Sequence, residues 1–275
     1  HPAVQDNLRL LRARGVHVVE PGVGRLAGGD VGTGRLAEPE DIIAAVESAL
    51  TAAPVTPTAD LAGVRTIVTA GGTREPIDPV RFIGNRSSGK QGHAVAEEAA
   101  ARGAKVTLVT TTSLAASPGI DVVHVSTAAE MEQAVLSRAD DAELILMAAA
   151  VADFRPVHVA DSKIKKAGGL PDVVLEPTVD ILAALGNQRR PGQIIVGFAA
   201  ETDDLRANAA EKLARKGIDL IVANDVTAPG VGFEHDTNAV VILDSAGGAH
   251  EVPLTGKRAI ARAILDAVST TRSNS

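Results

Sequence analysis

Arg65-Thr-Ile-Val-Thr-Ala-Gly-Gly-Thr-Arg-Glu-Pro76 and Ser87-Ser-Gly-Lys-Gln-Gly-His-Ala-Val-Ala-Glu-Glu-Ala-Ala-Ala-Arg102 are two parts of one repeating grammar: a short β-branched run, a glycine-rich turn, and an alanine-rich helical stretch. Working outward, strand-like apolar runs occur at Arg65–Thr69, Lys105–Thr110, Val122–Val125, Leu144–Ala149, Ile194–Phe198, Leu220–Ala223 and Ala239–Leu243. Helical spacing occupies Lys90–Arg102, Ala128–Ala139, Asp180–Leu185, Leu205–Lys216 and Lys257–Val268. Alternating units of this length predict an α/β fold, a Rossmann-like and mostly parallel sheet with helices on both faces. Ligands of such sheets bind beyond the carboxyl ends of the strands, where the strand order reverses. The segments after each strand are therefore where chemistry is expected.

Before this region, Val4–Arg14 has helical spacing, Val16–Val19 reads as a short strand, Gly22 to Gly34 as a glycine-rich loop, and a helix follows with Pro39 near its start. These elements are too few for a core of their own. The uncharged Pro/Thr stretch that begins at Thr51 marks a linker. The expected organisation is an N-terminal remnant over 1–50, a linker over 51–62, one domain over 63–269 and a flexible tail over 270–275. The sequence begins His1-Pro2-Ala3, without Met or a signal-like run, and so is expected to start inside a longer protein.

Composition narrows the chemistry. Apolar residues make up 45% of the 275 residues and aromatic ones 1%, so aliphatic packing must supply the hydrophobic stabilisation. The net charge of −7 argues against a nucleic-acid-binding face, and no apolar run is long enough to span a membrane. Without Cys there are no disulfides, thiolate metal sites or cysteine nucleophiles, and nothing supports export, so a cytoplasmic location is expected. An anionic ligand would have to meet a local cluster of cations set against the global field.

Several segments offer such clusters. Ser87, Ser88 and Gly89 stand at a helix start, where free backbone N–H groups and the helix dipole favour an anion, and Arg81, Arg86 and Lys90 lie close by in sequence. By itself a Ser-Ser-Gly turn is as often an ordinary cap; the three cations tip the reading towards a phosphate or carboxylate. Gly84 to Lys90 fits the G-x-x-x-x-G-K pattern of P-loop nucleotide hydrolases, but Gln91 stands where that site needs a Ser or Thr hydroxyl. The dinucleotide fingerprint G-x-G-x-x-G is absent. Met147-Ala-Ala-Ala-Val-Ala-Asp153 puts small residues at a strand end, where a ligand can approach the backbone and Asp153 can accept a hydrogen bond, although Ala-rich packing with a turn-capping Asp reads equally well. Lys163-Ile-Lys-Lys-Ala-Gly-Gly169 has the composition of a mobile lid over phosphates, or of plain solvated surface. Lys212 and Lys216 share a helix face at i,i+4 spacing, with Glu211 and Arg215 beside them. All four Phe (82, 154, 198 and 233) fall just after strands or in these loops. No metal-ligand spacing appears among the His residues.

In order and at matching spacing, T-A-G-G-T-R-E-P-I-D-P-V-R-F-I-G-N-R-S-S-G-K, A-A-A-V-A-D-F-R-P, K-I-K-K, V-G-F-A-A-E-T and L-I-V-A-N-D-V resemble phosphopantothenate–cysteine ligase over Val64 to about Val268. In bacteria that ligase is usually fused behind a flavin-dependent decarboxylase. The resemblance implies ligation of 4′-phosphopantothenate with L-cysteine in coenzyme A biosynthesis, driven by CTP with Mg2+ through an acyl-cytidylate, in a homodimer of ligase domains. It implies a substrate site at Arg81, Asn85, Arg86, Ser87, Ser88 and Gly89, with Asn85 holding the acyl-cytidylate. It implies a nucleotide site at Met147, Ala148, Ala149, Asp153, Phe198, Lys212 and Lys216, with Lys163 as a flap lysine. Thr178, Val179, Asp180 and Ile181 align with the family's N-P-D-I stretch, with Thr178-Val179 in place of Asn-Pro. The segment before Val64 is similar to the decarboxylase tail, with Gly28 where that family uses a cysteine; FMN is thus expected only in the missing decarboxylase part. The alternatives on the same architecture are an NAD(P)-dependent oxidoreductase and a non-catalytic nucleotide sensor.

Overall fold

The computed structural model describes all residues except 14–15, 17, 26–30, 52–58, 166–171, 202–203, 226–236 and 275. The chain forms two compact units, His1–Thr58 and Ala59–Ser275. In the first, α1 (Pro2–Ala13) precedes a hairpin of β1 (Gly22–Arg25) and β2 (Val31–Arg35), then α2 (Pro39–Thr51). Two expectations are corrected here. Val16–Val19 forms no strand among the described residues, because the Val16 N–H bonds the Leu11 carbonyl at the end of α1 (3.0 Å). The expected glycine loop instead contains a ladder, in which Val23 pairs with Thr33 and Arg25 with Val31, so β-branched residues at alternate positions override the glycines between them. Pro39 opens α2, where its missing N–H costs nothing, and Glu40 and Asp41 favour the helix start. Gly28 and most of the expected linker lie outside the described residues.

The second unit begins with a short turn, Ala59–Leu61, whose Leu61 is fully buried. Its elements are β3 (Arg65–Ala70), the hairpin β4 (Arg74–Pro76) and β5 (Phe82–Gly84), α3 (Lys90–Ala101), β6 (Lys105–Thr110), β7 (Asp121–His124), α4 (Ala128–Ala139) and β8 (Leu144–Met147). They continue with β9 (Phe154–Pro156), β10 (Leu175–Pro177), α5 (Ile181–Gln188), β11 (Ile194–Glu201), α6 (Leu205–Lys216), β12 (Leu220–Asp225), β13 (Thr237–Asp244), β14 (Ala249–Gly256) and α7 (Lys257–Asn274). Eight strands make the main sheet in the order β14-β13-β12-β11-β8-β3-β6-β7. The run from β7 to β12 is parallel, and β13 and β14 add an antiparallel edge.

Strand side chains alternate between two cores. Val68 and Leu146 join Val95, Ala99, Ile260 and Ile264 beneath α3 and α7, while Ile67 and Ile145 join Met131, Leu185 and Leu213 beneath α4, α5 and α6. At the far end of α3, the buried Arg102 guanidinium pairs with Glu98, Asp266 and Asp60, fastening α3 to α7. β14 was unexpected because its sequence has no apolar run; as an edge strand it buries only Val252 and tolerates Pro253. The expected tail is also corrected. α7 runs to Asn274, with the hydroxyls of Thr270, Thr271 and Ser273 donating to carbonyls four residues back. The chain leaves β3 through α3 towards β6 and β7, whereas β8 lies on the other flank of β3 and leads to β11 and β12. The strand order therefore reverses between β3 and β8. Among the described residues no helix is long and apolar enough to cross a membrane.

Candidate functional site

A cavity of about 590 Å³ opens over the carboxyl ends of the central strands at this reversal. Its floor is the β8 extension. Beyond Met147 that segment bridges to the β3 extension, Gly72 opposite Ala150, with Ala150 N–H donating to Gly71 O at 2.8 Å. Two threonines of the β3 segment fix it further: Thr69 Oγ1 accepts from Ala149 N–H (3.0 Å) and Thr73 Oγ1 from Ala152 N–H (2.8 Å). The expected strand thus ends at Met147, and the alanines after it form a backbone ledge along the cavity.

The Ser87–Gly89 turn forms one wall. Gly89 precedes α3 with φ 74° and supplies no side-chain cap, while its own N–H donates to Ser87 Oγ (3.4 Å), so the amide end of α3 borders the cavity. Gly92, in the first turn of α3, lets the helix lie against β3: a Cβ there would stand 2.6 Å from both Thr69 O and Ala70 Cβ. Asn85 Nδ2 donates to Val151 O (2.9 Å), tying this wall to the ledge.

The opposite wall comes from α5 and α6. Asp180 caps α5 by accepting from Ala183 N–H (3.0 Å), and its other oxygen contacts the Lys216 ammonium. Burial pushes the Lys216 pKa down, opposed by the Asp153 carboxylate. Lys212 shares the helix face, while Glu211 pairs with Arg215 (3.7 Å), so the carboxylate that threatened to occupy Lys212 is engaged elsewhere. Thr178 N–H donates to Asp153 O (2.9 Å), and Phe198 from β11 lines the floor between the walls.

Of the residues expected at the site, Asn85, Arg86, Ser87, Ser88, Gly89, Met147, Ala148, Ala149 and Asp153 line this one cavity. So do Thr178, Val179, Asp180, Ile181, Phe198, Lys212 and Lys216. Arg81 and Lys163 do not. The Arg81 guanidinium is bound by the buried Asp78 (Nε to Oδ2, 2.9 Å) and donates to Ile164 O (2.7 Å), while Asp78 Oδ2 accepts from Ile164 N–H (3.1 Å). Burial opposes ionisation of Asp78, but the Arg81 guanidinium and the N–H groups of Val80, Ile164 and Arg81 outweigh it and hold the carboxyl well below its ordinary range. Arg81 thus clamps the base of the lysine-rich segment, and Lys163 is exposed beside that clamp. Lys166, Gly168 and Gly169 lie outside the described residues. Phe82 and Phe154 are exposed on β5 and β9, Phe82 beneath the Arg74 guanidinium (5.2 Å), and neither lines the cavity; Phe233 is outside the described residues. Sequence reasoning missed Gln91 and Lys257 on the α3/α7 side; Asn224 and Asn238, which belong to a segment the sequence singles out without a role, line the cavity there as well. Gln91 had counted only as a mismatch to a P-loop, and Lys257 only as a helix start.

The family model for the DNA/pantothenate metabolism flavoprotein C-terminal domain matches residues 61–271. A coenzyme A biosynthesis bifunctional protein, CoaBC, of Mycobacterium tuberculosis is 49% identical over 282 residues, covering 98% of this chain and 67% of that protein. A cysteine/cysteine sulfinic acid decarboxylase from an unknown prokaryotic organism is 45% identical over 272 residues, covering 98% of this chain and 76% of its own length. The crystal structure of a CoaBC C-terminal domain superposes with TM-score 0.67 at 38% identity, covering 78% of this chain and 99% of that one. A Cab2 mutant in complex with phosphopantothenate-cysteine is alike in fold, with TM-score 0.60 at 18% identity over 87% of this chain and 97% of that one.

Proposed function

Because the chain belongs to the family of the DNA/pantothenate metabolism flavoprotein C-terminal domain, we propose that its second unit is a phosphopantothenate–cysteine ligase driven by CTP. The observation that carries the proposal is the cavity itself: an uncapped helix start, lysines from another helix and two carboxylates meet over one backbone ledge at the strand-order reversal. A free carboxylate is a poor acyl donor because its leaving group would be oxide. In the proposed reaction the phosphopantothenate carboxylate attacks the α-phosphate of CTP, pyrophosphate leaves, and the amino group of cysteine then displaces CMP to give the amide. Asn85 and the Ser87–Gly89 amides hold the acyl-cytidylate. Asp153 and Asp180 accept hydrogen bonds from the nucleotide's amino and hydroxyl groups. Lys212 and Lys216, joined by Lys163 of the lysine-rich segment, balance phosphate charge, so that positioning and electrostatics carry the catalysis.

As part of the nucleotide substrate, Mg2+ would supply charge neutralisation at the triphosphate. Among the described residues no trio of His, Asp or Glu stands ready as a metal cage. Asp153 and Asp180 are the carboxylates that line the cavity, which suits an ion held mainly by phosphate and water. The same reading takes the first unit as the remnant of a flavin-dependent decarboxylase domain, assigns FMN to that decarboxylase and not to the ligase unit, and puts the protein in the cytoplasm. It includes a homodimer, favoured by exposed Val80, Phe82, Phe154, Val174 and Leu175 on and beside the β4–β5 hairpin and the antiparallel pair of β9 and β10.

The test is incubation with CTP, Mg2+, phosphopantothenate and cysteine, with pyrophosphate and the amide product measured. Equal amounts of both support the ligase. Nucleotide binding without pyrophosphate would indicate a sensor, and NAD(P) binding with hydride transfer would indicate an oxidoreductase.

A further inference from the structure

Lys257, the first residue of α7, is 8% exposed and lines the cavity. Its place is fixed from two sides. Gly256 before it pairs with Thr237 in the β13–β14 ladder, and the Lys257 carbonyl accepts from Gln91 Nε2 (3.2 Å) in the first turn of α3. A lysine is among the side chains least often buried, and this one is buried at a cavity wall.

The two sides of the cavity differ in charge. On the α5/α6 side, Lys216 contacts Asp180 and feels the charge of Asp153, and Lys212 lines the cavity beside it. On the α3/α7 side, Arg86 and Lys257 line the wall together with the uncapped start of α3, Asn224 and Asn238, and no Asp or Glu lines it among the described residues. The two cations and the amide donors of this wall suit the highly charged part of a ligand.

We propose that Lys257 binds the terminal phosphates of the nucleoside triphosphate, the part that leaves as pyrophosphate. This rests on the ligase reading above. The acyl carboxylate is placed by Asn85, at the Val151 end of the Ser87–Gly89 turn. As the carboxylate oxygen bonds to the α-phosphorus, the bond from that phosphorus to the bridging oxygen breaks. The electron pair stays on that oxygen, and the charge of the departing pyrophosphate is met by the Lys257 ammonium. No proton need move.

The experiment compares Lys257→Gln and Lys257→Arg with the parent chain. Losing one charge-assisted contact should raise the KM for CTP and the inhibition constant of pyrophosphate about 10- to 100-fold in Lys257→Gln. Inhibition by CMP, which lacks those phosphates, and the KM for phosphopantothenate should stay at the parent values, and Lys257→Arg should recover most of the loss. Unchanged pyrophosphate inhibition would overturn the proposal. So would equal losses for CMP and pyrophosphate, which would mark a collapsed cavity, or a loss confined to phosphopantothenate, which would move Lys257 to the other substrate's phosphate. Calorimetric titration of pyrophosphate into each protein reads the same contact without turnover. If the parent protein released no pyrophosphate from CTP, the ligase reading would fail, while the titration would still decide whether Lys257 binds it.

Discussion

Gly92→Ala tests how tightly the fold sets the position of the anion-binding turn. The added Cβ would stand 2.6 Å from Thr69 O, where ordinary contact begins at 3.4 Å, and the obstacle is strand backbone that cannot rotate away. The first turn of α3 must therefore retreat from β3 by about 0.8 Å, and the Ser87–Gly89 turn moves with it. Overpacking of this kind costs about 1–3 kcal/mol, and alanine's better helix propensity returns up to about 1 kcal/mol. The net loss is about 1 kcal/mol, or about 2–4 °C in Tm for a unit of this size. The effect on chemistry is larger, because a misplacement near 1 Å at a reacting centre costs about 100-fold in rate. Thermal unfolding and the pyrophosphate-release assay measure the two separately. A variant with a slightly lowered Tm and a kcat/KM down about 100-fold fits the account. Unchanged kcat/KM would show that the placement of α3 against β3 does not govern the site.

Other outcomes follow from the same geometry. Asn85→Asp loses the donor to Val151 and sets a negative charge beside the acyl-cytidylate, so pyrophosphate release from CTP should survive while amide formation fails; normal amide yield would remove Asn85 from its role. Lys163→Gln should raise the KM for CTP and leave the Tm untouched, and identical kinetics would dismiss the flap. For Asp78 the folded pKa lies below the ordinary 3.8, so its stabilisation is present above that value and is lost as pH falls towards the folded one. The Tm deficit of Asp78→Asn relative to the parent should therefore be constant at neutral pH and shrink on acidification below about pH 4; a deficit that grows there would reverse the sign of the argument.

The central fold was legible because β3, β6, β8, β11 and β12 are buried parallel strands with continuous apolar runs, whose neighbours in sequence are helices with one apolar face. β14 was not legible, since an edge strand needs only one inward side chain and its backbone is half solvated. The β1–β2 ladder was hidden for a related reason: glycine spacing reads as loop, yet pairing there follows the β-branched residues between. At the site, residues adjacent to strand ends or to the Ser-Ser-Gly turn were found, because position along a parallel strand dictates position at the rim. Arg81 was misplaced, because sequence shows a cation near a phosphate-type turn but not the buried carboxylate three residues earlier that claims it. Lys257 and Asn238 reach the cavity only through the sheet order β14-β13-β12-β11, whereas Asn224 stands at the carboxyl end of the parallel strand β12.

A crystal structure of the chain with CTP and Mg2+ decides whether elements from both faces of the sheet grip one triphosphate at the strand-order reversal. Phosphate density is expected between the Ser87–Gly89 turn, the Met147–Ala149 ledge and Lys212, with its terminal end at Lys257. Nucleotide bound at another surface, such as the second cavity beside Asp219 and Asp244, with the first cavity holding only solvent, would contradict it.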